Sequence, residues 1–477
     1  MRVHETHSGV VVLCGDRAYK TKKPIVTDFL DFSTADRREK ACRHELELNR
    51  RLAPDVYVGI AHLSDPAGEP SEPILVMRRM PEDRRLSAML EAGALIDAEL
   101  RSLAKTLAEF HRTAVRGDAI DQQGTAAALR RRWRVLLHSL AEQPSGAIDP
   151  EQLLRAERLA MRFLDGRDRL FTARIRAGRI VDGHGDLLAE DIFALPDGLR
   201  ILDCLDFDDA LRYVDVLDDA AFLAMDVEFL GRADLAAGFL GAYLEAARDE
   251  PPDSLRHHYI AYRSLVRAKT DRIRAAQGDP DAAEHARRHV ELTVAHLERG
   301  AIRLALVGGL PGTGKSTVAA RLAAATGARV ISSDAVRAEL RTAGTITGHG
   351  GNYGAGAYRP AARARVYDEL LERARTELEL GRSVILDASW TDDEYRRRAA
   401  ELATNTASDL LALRCHCPQQ VATARISARA HGDSEATPEI ASAMAATAAN
   451  WPGAAGIDTD GPIEDTLAAA LRIWHRP

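Results

Sequence analysis

Two domains of different class are predicted: an α+β domain over residues 1–298, with a small strand-bearing lobe ahead of a larger helical one, and an α/β domain with a mostly parallel sheet over residues 299–477. Three observations carry this. At 477 residues the chain is too long for one ordinary core. Gln277-Gly278-Asp279-Pro280 interrupts the helical periodicity, and Glu298-Arg299-Gly300 ends the charged helix that follows it. Directly afterwards, Ala301 to Val307 reads as a buried strand, Gly309 to Ser316 as a glycine-rich turn and Thr317 to Ala325 as a helix.

The turn Gly309-Leu310-Pro311-Gly312-Thr313-Gly314-Lys315-Ser316 has every position of a phosphate-binding P-loop. Gly309, Gly312 and Gly314 let the backbone wrap phosphate with its N–H groups, those of Thr313 included. Lys315 reaches the β/γ oxygens, the Ser316 hydroxyl can ligate Mg²⁺, and Thr317 opens the helix whose N-terminus faces the anion. A nucleoside triphosphate, ATP with Mg²⁺, is therefore the expected ligand. Bulk composition agrees with an enzyme: 46% hydrophobic and 28% charged residues. A net charge of -7 argues against a generalised nucleic-acid or membrane-surface binder. Five scattered cysteines without a CxxC point to a reducing compartment, and Cys415-His416-Cys417 cannot all turn inward from one strand, against zinc. The chain has no apolar run of about eighteen residues, and residues 1–7 lack a signal-peptide core, so a cytoplasmic location is expected.

In the first domain, Val10 to Leu13, a turn at Gly15-Asp16 and Ala18 to Lys22 form a hairpin, followed by a helix from Ala35 to Leu52. Period two puts Lys20 and Lys22 on one strand face, where one of them should meet phosphate. Leu86 to Leu170 is mostly helical, short strands follow at Arg179–Asp182 and Leu199–Leu202, and long helices run from Val216 to Gln277. A strand-bearing lobe ahead of a helical lobe is the outline of a protein-kinase-like fold.

His184-Gly185-Asp186-Leu187-Leu188-Ala189-Glu190-Asp191 resembles the catalytic loop of the aminoglycoside phosphotransferase family, with Asp191 where that family has Asn. The resemblance implies Asp186 as the base that accepts the substrate hydroxyl proton and position 191 as a Mg²⁺ ligand. Asp203 ends the next apolar strand, 17 residues beyond Asp186, where the family keeps its principal Mg²⁺ aspartate; Asp206-Phe207-Asp208 is the alternative register. Arg212-Tyr213, Asp215 and Glu109-Phe110-His111 also match the family, and Glu45 is the helical partner expected for the phosphate lysine, with Lys20 its candidate. No G-x-G-x-x-G is present and the chain begins close to the first family segment, so the small lobe is expected to be short of a strand. The acidic run Asp206, Asp208, Asp209, Asp215, Asp218, Asp219, Asp226 and Glu228 fits a solvated helix face with structural aspartates, and it also motivates a cationic acceptor such as an amino sugar.

In the second domain, Arg329 to Asp334 reads as a strand ending in an aspartate, and Asp334-Ala335-Val336-Arg337 resembles the D-x-x-R of gluconate-kinase and polynucleotide-kinase P-loop proteins. That implies Asp334 as base and Arg337 as a substrate- or phosphate-orienting group; the alternative is an N-cap aspartate. Ser383 to Asp387 places Asp387 at a strand's carboxyl end as a Mg²⁺ group. Arg425 and Arg429, four apart on one helix face, are the lid arginines, and Gly344 to Gly356 is a substrate loop. The whole chain resembles bacterial fusions of an aminoglycoside-phosphotransferase-like domain with a P-loop kinase-like domain, which implies a phosphotransferase with two nucleotide sites acting on a small hydroxylated molecule. A nucleotide-gated regulatory protein is the competing reading. The residues do not specify an acceptor or an oligomeric state.

Overall fold

The computed structural model describes residues 1–5, 9–26, 31–63, 72–94, 96–142, 148–347, 359–428 and 437–476. It divides into two compact units. The first comprises Met1–Glu157, Phe171–Pro251 and Arg256–His296; the second comprises Arg158–Leu170, Pro252–Leu255 and Leu297–Pro477.

The first unit begins with strands β1 (Arg2–Glu5), β2 (Gly9–Cys14), β3 (Arg17–Lys22), β4 (Tyr57–Leu63) and β5 (Glu72–Arg78) in one antiparallel sheet ordered β1-β2-β3-β5-β4. The expected shortage of a strand is thus corrected: Arg2 to Glu5 pairs with Val10 to Leu13 and supplies it. Gly15 turns β2 into β3 at φ +59°, a left-handed value that glycine adopts without strain. Between β3 and β4 runs the helix Ala35–Asn49, capped by the Thr34 hydroxyl, which accepts from Arg37 N at 3.3 Å. Its buried stripe is Arg38, Cys42, Glu45 and Asn49, at helical spacing but mostly polar. A face of that composition stays folded only if each group has a partner.

The larger lobe is helical. Its central helix Val216–Phe229 is apolar nearly all round, as a helix surrounded by protein must be, yet it buries Asp218 and Asp219. Two small antiparallel pairs lie beside it. Strands β6 (Ile180–Asp182) and β9 (Tyr213–Asp215) form one, and β7 (Ile192–Leu195) and β8 (Gly198–Ile201) form the other.

The second unit is a parallel sheet of β10 (Arg303–Gly308), β11 (Arg329–Ser332), β12 (Val384–Asp387), β13 (Asp409–His416) and β14 (Ala455–Asp458), ordered β11-β12-β10-β13-β14. Every residue of β10 is buried, the pattern of a strand covered on both faces. Val318, Leu322, Ile473 and Trp474, from the helices Lys315–Thr326 and Ile463–Trp474, pack on Ala305, Val307, Ile385 and Leu413. Chain leaving β10 runs to the β11 side, whereas β13 and β14 lie on the other. The carboxyl end of β10 is therefore a topological switch point, where open α/β sheets take their ligands. No helix among the described residues is long and apolar enough to cross a membrane.

Candidate functional sites

In the second unit the residues from Gly309 to Ser316 leave β10 at that switch point. Gly309, Gly312 and Gly314 have φ of +147°, +81° and +79°. A Cβ on Gly312 would lie 2.4 Å from the Ala422 carbonyl oxygen, and one on Gly309 would lie 2.6 Å from that of Cys415. Only glycine therefore keeps this cradle open. The Thr313 hydroxyl donates to Leu310 O at 2.7 Å, and the Thr459 hydroxyl donates to Thr313 O at 2.9 Å, which ties the turn to the chain beyond β14. Lys315 is the first residue of its helix, with Ser316 and Thr317 exposed beside it. A backbone cradle no side chain can fill, opening onto a helix N-terminus, fits a nucleoside triphosphate.

Asp387 is buried at the end of β12, in register with Val307 and Ser332. The strand before Asp334 ends earlier than expected, at Ser332, whose hydroxyl caps the next helix by accepting from Asp334 N at 3.3 Å. Asp334 is thus not the N-cap. It sits in the first turn and accepts from Arg337 Nη1 at 2.5 Å, so aspartate and arginine of D-x-x-R hold one another. Arg425 donates through Nη2 to Thr459 O at 2.8 Å, close to the cradle. Arg429 and the glycines from Gly348 to Gly356 lie outside the described residues. Trp390 and Trp451, which sequence reasoning passed over, close against Gly308: a Cβ there would lie 2.4 Å from Trp451 and 3.1 Å from Trp390.

In the first unit, Lys20 and Lys22 do share a face, and both point at Glu45. Lys20 Nζ is 2.7 Å from Glu45 Oε1 and 3.0 Å from Asp203 Oδ1; Lys22 Nζ is 2.6 Å from Glu45 Oε2 and 2.7 Å from Asp206 Oδ2. The two registers weighed for the metal aspartate thus take one lysine each. Burial alone would raise the Glu45 carboxyl, but the charges of Lys20 and Lys22 hold it at about 2. Asp203 is exposed and has a left-handed backbone, φ +59°, a local strain of the sort functional sites retain. Burial pushes Asp186 up to about 7, with Arg267 opposing and Asp203 adding to the rise. Burial, then the charges of Asp203, Glu190 and Asp186, hold Asp191 well above the usual carboxylate range. Asp186, Asp191 and Asp203 thus feel one another's charge, although among the described residues no group of three or more such side chains stands close enough to hold a metal ion.

The loop bearing Asp186 is held from behind by residues the sequence did not single out for that task. Asp219 accepts from His184 N at 2.7 Å and Gly185 N at 2.9 Å, and its other contact is His111 Nε2 at 3.0 Å. Burial would raise the Asp219 carboxyl, but the His111 contact and the loop amide keep it far below the ordinary range. Ionised Asp219 requires a proton on His111 Nε2, and His111 Nδ1 lies 2.7 Å from the Tyr243 hydroxyl. Arg263 pairs with Asp218 at 2.7 Å and donates to Gly185 O at 3.0 Å. Cys204 N donates to Asn49 Oδ1 at 2.9 Å, so the polar stripe of the helix Ala35–Asn49 holds the segment after β8 as well as the lysines.

All eight members of the acidic run have protein partners. Asp206 meets Lys22, Asp208 caps Ala210, Asp209 meets Arg212, Asp215 meets Arg174, Asp218 meets Arg263, Asp219 meets His111, Asp226 accepts from Ala189 N and Glu228 meets His296. The run is structural, and it gives no support to a cationic acceptor.

A family model described as an AAA domain matches residues 304–450. Uncharacterized proteins of Mycobacterium tuberculosis and Mycobacterium bovis are 50% identical over 473 residues, covering 99% of this chain and 95% of theirs. Among solved structures, a sugar kinase from Janibacter is 23% identical over 36% of this chain and 94% of its own, with a TM-score of 0.29. A GDP complex of aminoglycoside 2'-phosphotransferase is 18% identical over 62% and 93%, with a TM-score of 0.38. The chain belongs to the family of its mycobacterial relatives, and its residues 304–450 form the AAA domain of that family.

Proposed function

We propose that the protein is a cytoplasmic, ATP- and Mg²⁺-dependent phosphotransferase acting on a small hydroxylated molecule, with a nucleotide site in each of two domains, 1–298 and 299–477. The observation that carries the reading is the grouping, at one sheet edge, of an unfillable glycine cradle, Lys315, buried Asp387 and the mutually held Asp334 and Arg337. In this reading the P-loop amides and Lys315 bind phosphate, Ser316 and Asp387 hold Mg²⁺, and Asp334 takes the acceptor proton while Arg337 holds its carboxylate in place. Arg425 and Arg429 close over the phosphates. Bound ATP·Mg²⁺ supplies the transferable phosphoryl group and the neutralising charge.

The first unit supports the same chemistry with a different set. Lys20, oriented by Glu45, binds phosphate, Asp203 and Asp191 are the metal carboxylates, and Asp186 is the base. One observation favours a second reading, a nucleotide-gated regulatory protein. A carboxylate at position 191, already pressed by Asp186 and Asp203, adds charge where an amide would be neutral. Incubating the full chain with labelled ATP and a metabolite pool separates the readings: label in a small molecule supports transfer, whereas nucleotide binding without it supports the regulatory reading.

A further inference from the structure

On the opposite side of the Asp219–His111 contact from the Asp186 loop, the first unit has a cavity of ≈ 620 Å³ that includes neither the lysine–glutamate network nor Asp186, Asp191 and Asp203. It opens between the last turns of the helix Asp97–Thr113, the turn at Ala177 to Arg179 and the end of the helix Ala233–Ala247. Lys105, Arg112, Arg116, Arg179 and Arg248 line it, against one carboxylate, Glu109. For a chain with a net charge of -7 this is a local reversal of sign.

Two of the five cations are already used. Arg116 donates to the carbonyls of His111, Ala114 and Gly178, and Arg179 donates to those of Ala247 and Arg248. Both offset the partial negative charge of helix C-termini. Arg112 is held by Glu109 in an exposed pair, of the sort that is readily exchanged. Lys105 and Arg248 are exposed, and their side chains make no hydrogen bond or ion pair among the described residues. Arg248 stands at the mouth in a left-handed conformation, φ +48°, that a non-glycine residue adopts at a cost. Inside, Ala108, Val216 and Ala246 form an apolar wall, with buried His111 and Tyr243 on the floor.

Three uncommitted or exchangeable cations beside an apolar wall form an arrangement for an anion with a carbon skeleton. We propose that this cavity binds a small phosphorylated metabolite, with Lys105, Arg112 and Arg248 meeting the phosphate and the alanine–valine wall meeting the rest.

The test is amide hydrogen exchange on the full-length Lys315→Ala protein, which removes the P-loop as a competing phosphate site, with glycerol 3-phosphate as the probe and sodium chloride at matched ionic strength as control. Protection of peptides covering residues 105–116 and 246–248 is expected. In Lys105→Ala/Arg248→Gly, chosen because glycine suits the left-handed backbone, binding should weaken about tenfold or more. Thermal unfolding of that variant verifies its fold. The proposal is overturned if millimolar probe leaves both segments unprotected, if salt alone protects them equally, or if the folded variant is protected like its parent.

Discussion

Lys20 and Lys315 are the two lysines proposed to meet phosphate, and their charges are balanced by opposite means. Lys20 lies in a network of side chains drawn from β3, the helix Ala35–Asn49 and the segment after β8, where Glu45 and Asp203 take the place of a ligand's charge. Lys315 makes no ion pair among the described residues; its surroundings are a glycine turn and the start of a helix. The first site is thus a pre-compensated ion cluster that contributes to folding, and the second is a preorganised cavity whose balancing charge arrives with the ligand. Function and stability are coupled in one and separable in the other.

The largest effect is expected at Asp334. Asp334→Asn should lower phosphoryl transfer by about 10²–10⁴-fold, the usual share of a positioned base, with nucleotide affinity nearly unchanged. Single-turnover transfer measured beside calorimetric ATP binding checks this. Transfer close to wild type would leave Asp334 only as the residue that holds Arg337.

Removing a partner from each lysine sharpens the contrast. Glu45→Ala leaves Lys20 and Lys22 buried without their shared carboxylate and should destabilise the first unit by about 3–5 kcal/mol. Lys315→Ala should abolish one ATP-binding event while shifting stability by about 0.5 kcal/mol or less. Denaturant unfolding and calorimetry on the full chain read both, and a strongly destabilised Lys315→Ala protein would break the distinction.

Gly312→Ala is the next step down. The +81° backbone and the 2.4 Å approach to Ala422 should cost about 1–3 kcal/mol and weaken ATP binding. Gly327→Ala, left-handed at +70° but with open space around it, should cost about 1 kcal/mol and leave ATP binding alone. Equal effects on binding would remove the cradle argument.

The effect most remote from both sites is pH dependence. Burial pushes His258 and His289 from 6.5 down to about 3, so between those values the unfolded chain binds more protons. Their stabilisation is fully present above about pH 6.5 and is lost as pH falls towards 3, by at most about 1.4 kcal/mol per pH unit for each. His258 Nε2 accepts from Trp133 Nε1 at 3.1 Å, which a protonated ring could not do. Glutamine can accept there without titrating, so His258→Gln should flatten the fall in denaturant midpoint between pH 7 and 5; an unchanged slope would assign it to other groups.

How much was legible follows the same divide. The P-loop, its strand and its helix stand in the sequence because the chemistry occupies consecutive residues. The pairing of Lys20 with Glu45 could be expected from a periodicity and a family pattern, but the claim of Lys22 on the same carboxylate could not. Strands β1, β4 and β5 were not read from the sequence, although the Pro/Gly-rich Asp65 to Pro70 stretch flanks β4 and β5 and these two strands complete the sheet. Asp219 and Arg263 carried no local signal as supports of the Asp186 loop, nor did Asn49 as the partner of Cys204; Asp219 is 35 residues from His184 and Asn49 is 155 from Cys204. For the acidic run the sequence left a structural role and a cationic acceptor both open, because charge in a sequence says nothing of who faces it; the partners found for all eight residues favour the structural role.

By itself the sequence determined the class of each domain, the glycine positions that only a left-handed turn can use, and which residue types are available for phosphate and metal. Those depend on backbone sterics and on spacing along one or two elements. Tertiary structure alone decided which charges neutralise which, that Ser332 rather than Asp334 caps its helix, and that eight acidic residues serve the fold. The physical reason is that a buried charge takes its ionisation and its role from the groups packed within a few ångströms, and folding draws those groups from far along the chain.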